Sequence, residues 1–428
     1  MRFFLFRILS PLCRHLLGVP ASVLQWNMGP DQHAQLDGFS LFLPFPSRVA
    51  VILLAGFWGW GANIQYLQQH NIDLLALIRY PTRHSPNQRL PHVSAFRFAG
   101  LLTFPLILSL LIFWPVTHGS REWVESVDYI PQAYLFILFI ILLLPLNRLS
   151  RTGRRRFLAT LRRISIGGLA EVQDGKFGDI LLADVLTSYA KVVGDLVVTF
   201  CMFFSSETSS TSKPDRHCGS DYTIPVIIAI PSLIRLRQCL IEFARVRRTG
   251  LKQGNNGWQH LANALKYATA FPVIVLAAIL RNYSPLLFYE ISEMTLSRLL
   301  YLCSFINSSY TFYWDVTKDW DLTLFSEARN DNEYPYGLRR YRHFSDIQYY
   351  TAIAVDFVIR FSWVSRFLPG FFWLSETEFG LFLLMFLEVA RRWMWVFIRA
   401  EAEWVRNSRG PAPNDILLGE YHGKLDAD

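Results

Sequence analysis

From Val49 onward the chain alternates long apolar runs with short polar segments. The runs repeatedly reach the roughly 17 to 25 residues that a helix needs to cross a hydrocarbon layer about 30 Å thick. Nine are predicted, at 49–67, 98–116, 133–149, 180–204, 224–241, 261–280, 296–314, 349–367 and 379–398. The expected fold is therefore an all-α polytopic membrane protein of about nine transmembrane helices, or ten if the N-terminus also crosses. The opening MRFFLFRILSPLCRHLLGVP resembles a signal peptide, but Arg7, Pro11, Arg14 and His15 interrupt its apolar stretch. Residues 1–42 are read instead as an interfacial amphipathic segment or a weak first span. Residues 43–400 form the expected membrane domain, and 401–428 a cytoplasmic tail.

The polar connections carry the orientation, because Lys and Arg concentrate in cytoplasmic loops. The 68–97 connection holds Arg79, Arg83, Arg89 and Arg97, whereas the next sets Arg121 against Glu122, Glu125 and Asp128. RLSRTGRRRFLATLRR, residues 148–163, is the most basic stretch and is expected to face the cytoplasm and its anionic headgroups. The Ser/Thr-rich segment after 204 then falls outside, RLRQCLIEFARVRRTGLK inside, RNYSPLLFYEISE outside, and the Arg339, Arg340 and Arg342 loop inside, leaving the C-terminus cytoplasmic. The acceptor pattern at Asn282 lies in an outside loop close to a membrane end; the one at Asn307 lies within a span and reads as helix packing.

Composition agrees with a membrane class: 52% of residues are hydrophobic and 18% charged, against about 25% charged in soluble domains. The formal charge of +8 sits in short segments beside apolar runs and forms no single basic domain, which argues against a nucleic-acid partner. Cys13, Cys201, Cys218, Cys239 and Cys303 are scattered, with no CxxC pair and no adjoining His, and are read as packing residues without a metal role.

Ionisable residues inside a span cost at least about 2.5 to 3.5 kcal/mol each, so they persist mainly when paired or lining a polar path. Asp184, Ser188, Lys191 and Asp195 recur at helical offsets that would stack them on one face. Later spans carry Lys266 beside Tyr267, then Asp356 and Arg360 with Trp363 a further turn along, and finally Glu388, Arg391 and Arg392. Facing one another, these helices would surround a wet midplane cavity. The planar fork of Arg and the mobile charge of Lys suit a small oxyanion there. The plainer reading is that Asp356 with Arg360 and Glu388 with Arg392 neutralise each other within their helices. Against it stand the number of helices involved and the presence of Arg391 and Lys266, for which no same-helix acid one turn away is evident.

SSYTFYWDVTKDWDLTLF, residues 308–325, resembles the signature of the EXS family, in which an aromatic-rich helix runs into two Trp–Asp units. LADVLTS at Leu182, the block IPSLIRLRQCLIEFARVRRTG followed by HLANALKYATAF, VDFVIRFSW, and EVARRWMWVFIRAEAEWVRN agree in order and spacing. The resemblance is strongest over 167–407 and weaker at GWGANIQYLQQHNID. It implies an EXS-type helical bundle. It also implies a phosphate path lined by Lys266, Arg360, Arg391 and Arg392, accompanied by Tyr267, Trp363, Asp184 and one or both of Asp315 and Asp319. Many members export inorganic phosphate and carry an N-terminal SPX domain. This sequence is expected to lack that domain, which resembles the short Golgi-resident form, implied to return lumenal phosphate to the cytosol. That form supports glycosylation and the recycling of glycosyltransferases, and would cycle with the ER.

The expected partners are accordingly inorganic phosphate and the bilayer, with Golgi glycosyltransferases, coat adaptors or a second copy of the chain as further candidates; no cofactor is expected. Two other readings compete. One is a non-transporting adaptor whose basic loops and tail bind sorting proteins. The other is an enzyme built on the DxD of Asp319, Trp320 and Asp321, against which stand the lack of a nucleotide-binding domain and of a Gly-rich phosphate loop.

Overall fold

The computed structural model describes residues 37–80, 90–143, 151–204, 209–217, 220–248, 257–284, 291–330 and 335–408. Most of the N-terminal segment, the tail beyond Ser408, Arg83, Arg89, Cys13 and Cys218 lie outside the described residues. Twelve principal helices run in order. They are α1 Phe45–Gln69, α2 Pro91–Thr117, α3 Tyr129–Leu143, α4 Arg151–Arg162, α5 Lys176–Ser188 and α6 Ala190–Phe204. Then come α7 Thr223–Arg248, α8 Trp258–Ala268, α9 Ala270–Arg281, α10 Glu293–Trp314, α11 Asp346–Arg360 and α12 Glu378–Ser408. No strand occurs among the described residues.

Local sequence sets these boundaries. Proline opens α1 and α2, where its missing N–H costs nothing. Ser292 caps α10 by accepting from the Thr295 N–H, and Ser345 with Gln348 forms a reciprocal capping box on α11. Pro105 and Pro115 remain inside α2, whose large side chains Phe104, Ile107, Leu108, Leu111 and Ile112 point outward, as expected of a lipid-facing helix.

Two ends of the bundle can be told apart. At the basic end, Arg237 donates to the carbonyls of Ile164 and Ser165, Arg245 to those of Leu169 and Ala170, and Lys176 pairs with Glu242. There Asp179 takes both Nε and NH2 of Arg163, and that bonding holds the guanidinium above its ordinary range. The opposite end gathers Arg48, Glu378, Arg216 and Asp195. The largest apolar cluster gathers Leu67, Trp320, Tyr349 and Trp395. A second core joins α1, α2 and α3 through Leu54, Leu102 and Leu135.

Four helical segments are long and apolar enough to cross a membrane alone: α1, α2, α7 and the continuous α8–α9 unit; α5 with α6 makes a fifth if that bent pair is one span. The count of nine is thus only partly met. Within their described residues α3 and α11 are short, α10 is rich in Ser, Thr, Asn and Tyr, and α12 carries Glu388, Arg391 and Arg392 among its apolar residues. The last helix also runs to Ser408 with Glu401 and Val405 buried, so the tail begins later than residue 401.

Two departures from regular geometry shape the interior. The 180–204 run is not one straight helix: α5 and α6 meet at Tyr189 with a bend of 61°. That break lies against α1 at Gly56, where an added Cβ would fall 2.3 Å from the Tyr189 hydroxyl. At Gly59 it would fall 2.7 Å from the Trp393 ring, so α12 and the break approach α1 only because both positions lack side chains. The second departure is at Asp315–Asp319, where α10 ends in a π-helical turn and the Trp320 N–H reaches the Asp315 carbonyl, 2.9 Å away. Such widened turns are frequent at functional sites.

Candidate functional site

The predicted ionisable residues converge near the middle of the bundle, but not as one stripe. On α8, Lys266 points its ammonium between two carboxylates of the π turn, 3.0 Å from Asp315 and 3.1 Å from Asp319. Its neighbour Tyr267 donates to Asp184 at 2.5 Å, and Arg235 of α7 donates to the same oxygen at 2.7 Å. Arg235 also lies over the Tyr267 ring, 4.9 Å from its centroid, and donates to Gln238 at 2.5 Å.

The second half of the cluster joins α10, α11 and α12. Arg360 bonds Asp356 at 2.9 Å and pairs with Asp315. Arg391 reaches Asp356 at 2.6 Å and takes Glu388 through both Nε and NH2, at 2.9 and 2.6 Å. The i,i+4 pairing of Asp356 with Arg360 is therefore real, yet it is one strand of a network spanning helices. Glu388, by contrast, pairs with Arg391 and not with Arg392. The expectation that Arg391 lacks an acid in its own helix is corrected, since an offset of three also places side chains on one face.

Arg392 differs from every other cation of the cluster. It is 6% exposed, its Nε donates to the Ser188 hydroxyl at 2.8 Å and its NH2 to that of Thr187 at 3.3 Å. Ser188 in turn donates to Glu388 at 2.7 Å. No carboxylate among the described residues lies within ion-pair distance of Arg392, and its guanidinium rests over the Trp395 ring at 4.7 Å. Hydroxyls can yield to a stronger acceptor with far less cost than carboxylates can, so this fork is the one best able to take an anion.

The break at Tyr189 splits the predicted polar stripe. Asp184 faces Arg235 and Tyr267, and Ser188 faces Arg392, whereas Lys191 and Asp195 turn with α6 toward the opposite end. Trp363 lies in the turn after α11, donates to Ser308 at 3.2 Å and stacks near Tyr301; Ser308 donates to the Arg360 carbonyl at 3.0 Å. It therefore braces the α10–α11 contact next to the ionic cluster. Arg235, Gln238 and Thr187 are the residues that sequence reasoning missed. Arg235 falls within the predicted span 224–241, at the start of a basic run assigned to the cytoplasmic side; its spacing of three from Gln238 and seven from Glu242 places all three on one helix face, all buried.

The cluster balances. Arg235, Lys266, Arg360, Arg391 and Arg392 stand against Asp184, Asp315, Asp319, Asp356 and Glu388. The reading of five scattered packing cysteines also needs correction: Cys201, near the far end of α6, is disulfide-bonded, while Cys239 and Cys303 are free.

The family model described as the EXS family matches residues 43–405, which takes in every side chain named above. The chain belongs to the EXS family. Among its relatives, protein ERD1 homolog 1 of Schizosaccharomyces pombe is 31% identical over 373 residues, covering 86% of this chain and 92% of the relative. Protein ERD1 of Saccharomyces cerevisiae is 26% identical over 379 residues, covering 85% and 94%. SPX and EXS domain-containing protein 1 of Dictyostelium discoideum is 25% identical over 389 residues, covering 90% of this chain but 39% of the relative. This EXS protein is thus similar to the ERD1 proteins over almost their whole length, and to the larger protein over its EXS portion.

Proposed function

We propose that this EXS protein carries inorganic phosphate across the Golgi membrane, from lumen to cytosol, and so supports glycosylation and the retention of glycosyltransferases. What supports the reading is the Arg392 guanidinium, buried next to the bend between α5 and α6 and hydrogen-bonded, among the described residues, to hydroxyls and to no carboxylate. Around it, Lys266, Arg360 and Arg391 already hold carboxylates. A tetrahedral oxyanion presents acceptor oxygens like those of Asp315, Asp356 and Glu388, so phosphate advances by exchanging with them at the guanidinium forks. Tyr267, Arg235 and Asp184 fix one wall of this path, and Trp363 braces another.

The likeness to ERD1 proteins supports the Golgi placement and cycling with the ER. The disulfide at Cys201 supports the orientation, because such bonds persist in the secretory lumen and not in the cytosol. With the Cys201 end lumenal, the basic end and the C-terminus are cytosolic. In this reading α10, α11 and α12 cross the bilayer with the apolar spans, their charges being covered by one another and not by lipid.

Radiolabelled phosphate flux into proteoliposomes tests the proposal. The purified wild-type chain should pass phosphate, and Arg392→Gln should abolish that flux. A wild-type chain that passes no phosphate, in vesicles where its fold is verified, overturns transport; Golgi enzyme retention by such a chain would favour the adaptor reading.

A further inference from the structure

A second set of charges lies toward the Cys201 end, outside the balanced cluster. Lys191 opens α6 and Asp195 follows one turn later. Arg216, in the segment after α6, stands 3.7 Å from Asp195 and 3.7 Å from Glu378. Both are ion pairs longer than a hydrogen bond, so Arg216 is paired with the two acids without being hydrogen-bonded to either. Arg48, by contrast, is spent: it bonds the Leu43 carbonyl, Ser40 and Glu378. Lys191 is exposed and, among the described residues, has no ion-pair partner within 4 Å. Its offset of four places it on the same face of α6 as Asp195, the carboxylate that Arg216 approaches. Cations therefore outnumber acids here, whereas the centre is neutral.

We propose that this mouth is a separate capture station for a tetrahedral oxyanion, inorganic phosphate in the reading above, on which this inference rests. Lys191 and Arg216 hold the anion. From there Glu388, which touches Ser188, leads to Arg392. An excess of one sign of charge around a cleft concentrates the opposite ion and accelerates its capture.

The test combines flux with labelling of the whole chain in proteoliposomes. In the Lys191→Gln plus Arg216→Gln variant, the half-saturating phosphate on the Cys201 side should rise on the order of 10-fold, and the salt dependence of uptake should flatten. An unchanged half-saturation with flux retained overturns the station. Asp195→Cys supplies a readout independent of transport, because it plants a thiol beside both cations. An anionic thiosulfonate should label position 195 faster than a cationic one, and phosphate should slow that labelling more than chloride at equal ionic strength. Labelling indifferent to reagent charge, or slowed equally by any salt, also overturns it. Loss of wild-type flux with phosphate protection of position 195 intact would instead fault the transport reading and leave the station standing.

Discussion

Arg391 and Arg392 are consecutive and both buried, yet neutralising them should give different signatures. Arg391 holds Glu388 and Asp356, so Arg391→Gln takes the ion pair from partly exposed Glu388 and leaves buried Asp356 with Arg360 alone. Breaking a buried pair in this way costs about 3–5 kcal/mol. Arg392→Gln strands no acid. Ser188 keeps its bond to Glu388, and Thr187 keeps its bond to the Asp184 carbonyl. The loss is two donors to neutral hydroxyls, about 1–3 kcal/mol, with about 0.5–2 kcal/mol more from the cation–π contact on Trp395. In detergent, Arg391→Gln should therefore melt well below wild type or fail to fold, while Arg392→Gln folds, melts at a temperature nearer wild type and passes no phosphate. Thermal melting followed by size-exclusion chromatography, paired with radiolabelled flux, reads both quantities. Equal stability of the two variants would refute the assignment of partners, and normal flux in Arg392→Gln would refute the hydroxyl-held fork as the anion's place.

Other contacts give further expectations. Glu401 is fully buried and serves Arg339, the His343 N–H and the Tyr349 hydroxyl; Glu401→Gln should lower stability by about 3–5 kcal/mol, seen as a lower melting point with flux per folded molecule little changed. Gly59→Leu would drive a branched side chain into the Trp393 ring and should abolish the folded peak in size-exclusion chromatography. Alkylation read by mass spectrometry should leave Cys201 unmodified until a reductant is added, and in sealed Golgi vesicles an impermeant reductant outside should not expose it.

The fold was legible wherever apolar residues run without interruption, as in α1, α2 and α7, because burial in lipid demands little beyond length and hydropathy. It was less legible at 180–204, where composition is uniform but the chain bends at Tyr189: the bend follows from how Gly56 lets that tyrosine approach α1, which is a tertiary fact. The cluster was largely legible, since Lys266, Arg360, Arg391 and Arg392 stand out as charges among apolar neighbours. Their pairing was not. Offsets of three and four are equally compatible with a helix face, and the chain chose Glu388 with Arg391 over Glu388 with Arg392. Arg235 escaped notice for the opposite reason, being surrounded in sequence by other basic residues that end at the bundle's rim, whereas its own carboxylate partner lies on a different helix.

The neutrality of the central cluster has an electrical corollary. Four of the five cations pair directly with acids, Arg392 rests on hydroxyls, and five cations stand against five acids in all, so a phosphate on the proposed route would meet no surplus of fixed charge. A phosphate that crossed by this route without a co-transported cation would carry current. Each elementary charge moved through 100 mV is worth about 2.3 kcal/mol, roughly a 50-fold bias. Under the proposed function, an organelle that shifts its membrane voltage would then change how fast phosphate drains from it at a constant concentration of the ion.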